Sequence, residues 1–264
     1  MVTLAAIFPP TQPPERLGAV ASAADAAGLA ELWLWEDCFY ESGIATATAI
    51  LAATSRVTVG IGLLPVPLRN VALTAMEIAT LARLFPGRLT AGIGHGVQEW
   101  MSQVGARAES PMTLLREYTT ALYALLRGDT VTTHGRYVRL DGVALDWPPA
   151  VIPPLLVGGI GPRTVALAGE LADGLIVPGG VRPADLRASV AHLHGQRTAG
   201  PAEVVVFVST PADGPAAAIA ATVSEYARAG ATCVAVNAAE SDADLEQFVG
   251  FLAREVGPFV SAGG

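Results

Sequence analysis

Eight times over, a short run rich in β-branched residues is followed by a longer segment of helical periodicity. That alternation restricts the chain to folds built from βα units around a parallel sheet. The strand runs are Val2–Phe8, Glu31–Trp35, Val57–Leu63, Leu89–Gly94, Leu155–Val157, Gly174–Val177, Val204–Ser209 and Thr232–Asn237. The helical segments are Glu15–Ala27, Ile44–Ala53, Leu73–Leu84, Met112–Leu126, Arg163–Leu171, Ala184–His194, Ala216–Ala229 and Asp242–Glu255. Eight strands with eight crossovers suit a closed (β/α)8 barrel, a TIM barrel, better than an open sheet; periodicity by itself leaves an open doubly wound sheet as the alternative. With 264 residues, 52% of them hydrophobic, the chain can fill one such core. No Gly- and Ser-rich linker interrupts it, so residues 1–264 read as one domain.

The irregular stretch is Gly128–Pro149. Thr130–Thr133 and Arg136–Leu140 flank His134-Gly135 as the arms of a hairpin would, ahead of a Trp147-Pro148-Pro149 exit. It reads as a small insertion before strand five.

The formal charge is −8 and every cation is an arginine. An acidic chain without a basic stripe is unsuited to nucleic acid or anionic lipid, and the absence of lysine excludes Schiff-base chemistry. Cys38 and Cys233 match neither a disulfide framework nor a metal-ligand spacing, and His192 and His194 point to different helix faces, so no metal is expected. Prolines at 9, 10, 13 and 14 break any secretory leader, and no apolar run approaches the ~20 residues of a membrane span; the expectation is a cytoplasmic protein acting on a small molecule.

In a barrel of this kind the chemistry collects in the loops after the strands' C-terminal ends. Here those loops read Trp35-Glu36-Asp37-Cys38, Gly60-Ile61-Gly62-Leu63-Leu64-Pro65, Gly92-Ile93-Gly94-His95-Gly96, Gly158-Gly159-Ile160-Gly161-Pro162 and Pro178-Gly179-Gly180. Glycine permits close backbone approach to a ligand, and a helix starting just beyond offers free N–H groups to an anion. The Gly158–Pro162 turn, leading into the helix begun by Arg163, and Gly179-Gly180 follow neighbouring strands and could grip one phosphate from two sides; tight turns are the competing reading. The Gly92–Gly96 run lacks the third glycine and the later acid of a dinucleotide fingerprint, so it reads as a flat wall for a planar ring. His95 is the candidate proton donor. Of the adjacent acids Glu36 and Asp37 only one should face inward, and Asp37 is chosen. Phe8, Phe39, Tyr40, Trp100 and the hairpin are the expected pocket walls, apolar enough for a largely hydrophobic substrate.

Gly28-Leu29-Ala30-Glu31-Leu32-Trp33-Leu34-Trp35-Glu36-Asp37 resembles the second strand of the bacterial-luciferase-like oxidoreductases, which use flavin or the deazaflavin coenzyme F420. Arg56–Gly62, Ala75–Arg88 and Leu89–Gly94 resemble the segments that follow in that superfamily. Pro154–Arg163 and Ala168–Gly174 resemble its later "G-P-(K/R)…A-G-x-x-A-D-G" stretch, so the matches run from about residue 20 to residue 180. The resemblance implies coenzyme F420 or FMN at the barrel mouth, with Asp37 near the ring system and a non-prolyl cis bond at Gly62–Leu63 behind it. It places the phosphate at Gly159, Gly161, Gly179 and Gly180; Arg163 at the following helix start, and Gly94 and His95 at the end of strand four, are the further coenzyme-contact candidates read from the residues. The resemblance further implies a homodimer through the two nearly all-apolar helices Ile44–Ala53 and Leu73–Leu84, with simple burial under loops as the competing reading. Two positions depart from the deazaflavin sugar-phosphate and alcohol dehydrogenases: Cys38 stands where they have His, and Val97 where the sugar-phosphate enzymes have Glu. Their substrate is therefore not carried over. A deazaflavin- or FMN-dependent oxidoreductase, by hydride transfer or monooxygenation, is the first expectation, and a non-catalytic flavin-binding barrel the second.

Overall fold

The structure, a computed structural model, describes residues 2–197 and 200–262, so the termini and residues 198 and 199 of the expected 1–264 domain lie outside it. In chain order the elements begin β1 (Thr3–Phe8), α1 (Leu17–Ala27), β2 (Glu31–Leu34), α2 (Gly43–Ala53), β3 (Thr58–Pro65), α3 (Val71–Leu84), β4 (Leu89–Gly94), α4 (Gln98–Gln103) and α5 (Pro111–Leu126). The hairpin β5 (Val131–His134) and β6 (Arg139–Val143) follows, then β7 (Leu155–Gly158), α6 (Pro162–Leu171), β8 (Gly174–Val177), α7 (Pro183–Gln196), β9 (Glu203–Thr210), α8 (Ala216–Arg228), β10 (Cys233–Ala238), α9 (Leu245–Phe251), a π turn and α10 (Gly257–Ala262).

Eight strands close in the order β1-β10-β9-β8-β7-β4-β3-β2, all pairs parallel, and the hairpin forms a separate two-stranded sheet. The open-sheet alternative is thereby excluded. Closure follows from burial on both faces: Ala6, Phe8, Leu32 and Val206 pack outward on the helices, while Ala5, Ile7, Trp33 and Phe207 pack inside the barrel.

The interior is filled unevenly. β3 and β4 contribute glycines inward, and bulky residues of the other strands occupy the space: a Cβ on Gly60 would land on the Trp33 indole, one on Gly62 would lie 2.6 Å from Phe207 Cζ, and one on Gly92 would meet Ile176. These glycines are thus the receiving side of a large-to-small packing scheme. Between Ile61 and Leu64 the β3–β4 register slips by one residue. This bulge turns Leu63 toward Gly94 and Gly158, and the Gly62–Leu63 bond is cis as expected; Cys38–Phe39 is a second non-prolyl cis bond.

Three helices begin one residue before the sequence expectation, at Pro111, Pro162 and Pro183, because proline needs no N–H donor in the first turn. The last crossover helix begins at Leu245, not Asp242, because Asp244 is the cap, accepting from the Glu246 and Gln247 N–H groups at 3.1 and 3.2 Å. The hairpin is also shifted. Instead of a tight His134-Gly135 turn, a loop at 135–138 joins Val131–His134 to Arg139–Val143. Glu117 of α5 explains the shift: its carboxylate accepts from the Arg136, Tyr137 and Val138 N–H groups at 2.9–3.0 Å. α4, too short to show a helical period, was not expected.

Candidate active site

At the C-terminal mouth of the barrel lies a cavity of about 440 Å³. Trp35, Asp37, Leu63, His95, Trp100 and Phe207 line it, with Gly62, Gly159 and Gly179 among the backbone contributors. This is where the βα loops of such a barrel converge.

Both acids after β2 border the cavity, and Arg69 engages one of them. Glu36 is turned into a buried ion pair with Arg69 and accepts the Gly43 N–H at 2.6 Å at the start of α2. Arg69 reaches on to Glu77 at 3.4 Å. Asp37 is left facing the cavity with no side-chain hydrogen bond among the described residues, and burial raises its pKa above the usual carboxylate value. Burial, then the charges of Glu36 and Asp37, push the Cys38 thiol up, with Arg69 opposing.

His95 follows β4. Its Nε2 lies 3.2 Å from Thr164 Oγ1, the first-turn hydroxyl of α6, whose own proton is directed at Met112 Sδ. Nδ1 is buried and without a partner. Burial lowers the His95 pKa, with the Pro111 carbonyl opposing, so the neutral imidazole is favoured.

Gly94 does not reach the cavity: Leu63 covers it, and a Cβ there would lie 2.6 Å from Leu63 Cδ2. The flat glycine wall is therefore replaced by the Leu63 side chain, which stands across Gly94 and Gly158. Of the phosphate candidates, Gly159 and Gly179 line the cavity, while Gly161 caps α6 and Gly180 turns at φ 85° before α7. Gly159 donates its N–H to the Ile176 carbonyl at 3.0 Å, so it shapes the turn and offers no donor. Arg163, exposed in the first turn of α6, makes no ion pair among the described residues.

The expected walls need correction. Phe8 is 2% exposed in the layer between barrel and helices, because its position on β1 points outward. Phe39 and Tyr40 line an adjoining groove with Leu68 and Leu73, and the hairpin borders a different concavity; only Trp100 belongs to this cavity. Trp35 and Phe207, rings 5.7 Å apart, take over as aromatic floor. The alternation of Val205 and Phe207 against Val204, Val206 and Val208 was the signal that could have found Phe207.

A planar heteroaromatic coenzyme fits these residues on one count above all. Two buried polar atoms, the Trp35 Nε1–H donor and His95 Nδ1, have no partner, and both side chains line the cavity.

Residues 2–255 match the family model described as luciferase-like monooxygenase. An F420-dependent glucose-6-phosphate dehydrogenase of Nakamurella multipartita is 31% identical over 201 residues, 66% of this chain and 59% of that one. The chain thus spans about three fifths of that relative's length. A solved F420-dependent secondary alcohol dehydrogenase, in complex with an F420–acetone adduct, shares the fold with a TM-score of 0.89 at 18% identity, covering 98% and 99% of the two chains. The oxygenating constituent of 3,6-diketocamphane monooxygenase of Pseudomonas putida, in complex with FMN, does so with a TM-score of 0.80 at 16% identity and the same coverage. Together with a closed barrel whose mouth carries the cavity, the match over residues 2–255 shows that the chain belongs to the luciferase-like monooxygenase family.

Proposed function

We propose that the chain is an oxidoreductase that binds coenzyme F420 in the cavity at the barrel mouth and acts on a small, largely hydrophobic substrate. The observation that carries this reading is the pair of unpartnered buried groups, Trp35 Nε1 and His95 Nδ1, in a cavity otherwise walled by Leu63, Trp100 and Phe207. When bound, the coenzyme supplies the hydride chemistry, and the protein supplies position and electrostatics. Leu63 would back the ring, Gly179 and the first turn of α6 at Gly161 and Arg163 would hold the phosphate, and Gly159 and Gly180 would shape that cradle. Asp37, biased toward its protonated form, and neutral His95 are the groups able to give and take a proton at the reacting end. The aromatic floor and Leu63 keep water from that end.

FMN is the second reading, favoured by the likeness to the FMN-containing oxygenating protein. Titrating the purified protein with F420 and with FMN, each followed by fluorescence, separates the two. Saturable F420 binding that Asp37→Asn and His95→Ala weaken supports the proposal; binding of neither coenzyme refutes it, and tight binding with no turnover on a panel of carbonyls and alcohols leaves a flavin-binding barrel.

We also infer a homodimer through α2 and α3. Leu73, Met76 and Leu84 of α3 are 47%, 57% and 63% exposed, and α2 presents the small exposed residues Ala45, Ala49 and Ala52. Sedimentation of the wild type against Met76→Asp checks it. Among the described residues no helix is long and apolar enough to cross a membrane. The two free cysteines suit the cytoplasm, which is the compartment proposed.

A further inference from the structure

On the same rim, outside the redox cavity, a second concavity of about 540 Å³ lies between the loop after β3, the loop after α4, α5 and the hairpin. Its lining carries three guanidinium groups, Arg69, Arg107 and Arg139, and no carboxylate, in a chain whose net charge is −8. Arg69 is committed to Glu36 and Glu77 behind it. Arg107 and Arg139 are exposed and make no ion pair among the described residues. Of the acids on the flanking segments, Glu109 pairs with Arg136 and Glu117 accepts from the backbone N–H groups of the hairpin loop, while Asp141, two residues beyond Arg139, is exposed and lies outside the lining. Neutral donors face the same space. Tyr137 Oη accepts the Ser110 N–H at 2.7 Å, which leaves its own proton free, and Val71 opens the fourteen-residue α3 with the positive end of its dipole.

We propose that this concavity binds an oxyanion, phosphate or carboxylate, carried by the substrate. Guanidinium forks match such groups in bidentate geometry, and a concave site lined by one sign of charge focuses the field on them. The two concavities share their walls in sequence: Pro65 lines the redox cavity and Val66 the second, while Val97 and Trp100 line the first and residues 105–108 the second. A ligand with its reacting end in one and its charge in the other crosses the rim between β3 and β4. Assigning the anion to the substrate rests on the redox reading of the neighbouring cavity; anion binding itself does not.

The test is calorimetric titration of coenzyme-free protein with inorganic pyrophosphate and, separately, with succinate at constant ionic strength, so that phosphate and carboxylate preferences are told apart. The wild type should bind one of them saturably, and Arg107→Gln/Arg139→Gln should weaken that binding by roughly tenfold or more, with F420 affinity and thermal stability unchanged. Absence of saturable binding by the wild type, or equal binding by the double variant, overturns the proposal. So does loss of F420 binding in the double variant, which would hand both arginines to the coenzyme. Saturable pyrophosphate binding by a protein that takes neither F420 nor FMN upholds the anion site and defeats the redox reading alone.

Discussion

Replacing Arg69 with Met would strand a charge that the fold has sealed in. The Glu36 side chain is 8% exposed and the Arg69 side chain 13%, and without the guanidinium the carboxylate keeps a single protein donor, the Gly43 N–H. A buried ion left without its partner costs about 3–5 kcal/mol. Glu77 loses its cation in the same step, which sets the expectation toward the upper end. For a chain of this size each kcal/mol is worth roughly 2–4 °C, so the melting temperature should fall by roughly 6–20 °C. Burial already raises the Glu77 pKa against the opposing charge of Arg69, so in the variant that carboxyl holds its proton to still higher pH than in the unfolded chain. Its contribution is then present below the unfolded carboxylate pKa and lost as pH rises through the raised one, so the deficit should be larger at about pH 8 than at about pH 5. Urea unfolding of wild type, Arg69→Met, Glu36→Gln and the double variant at both pH values reads this directly, with a coupling of about 2 kcal/mol or more expected across the cycle. Strictly additive effects, or a loss under about 1 kcal/mol with no pH trend, would show the pair to be an ordinary surface one and refute the reasoning.

Gly158→Ala places a methyl where Leu63 Cδ2 lies and should drive Leu63 into the cavity, weakening F420 binding by ~5- to 150-fold from the 1–3 kcal/mol of overpacking; Gly158→Ala/Leu63→Ala should recover most of it by fluorescence titration. Asp37 is a partly buried acid with raised pKa, so its stabilising contribution is lost as pH rises through that value; Asp37→Asn should therefore melt higher than wild type near neutral pH, with the gap closing below the unfolded carboxylate pKa, and an unchanged or lower melt at neutral pH counts against it. The His95 imidazole resonances should titrate with a midpoint below the ordinary histidine value, and a midpoint at or above it would contradict the buried, neutral ring. Glu117→Gln should cost about 1 kcal/mol, discounted for its exposed edge, and speed amide exchange at Arg136, Tyr137 and Val138 selectively.

What was legible in the sequence was whatever a two-residue or three-to-four-residue period encodes: the staves, the crossovers and the side of the barrel on which Trp35, Asp37, Gly62 and His95 appear. What was not legible depended on partners distant in the chain. Arg69, thirty-three residues on, decides which acid after β2 is tied into an ion pair, and nothing within Trp35–Cys38 announces it. Glu117 likewise moves the hairpin turn from a distance. The inward glycines misled for a related reason. A glycine that receives a coenzyme and one that receives a Trp or a Phe are the same letter, and only the opposing strands distinguish Gly62 or Gly94 in one role from the other.

The lopsided filling of the barrel has a consequence for how such a protein diversifies. Because two neighbouring staves bring little bulk of their own beyond Leu63, the depth of the chamber is set by a few large side chains reaching over from elsewhere, chiefly Trp33, Ile176 and Phe207. Trimming any one of them would deepen the chamber without touching a turn, a cap or the charged rim. Substrate range and scaffold integrity are thereby written in separate residues, and descendants can explore the first while inheriting the second.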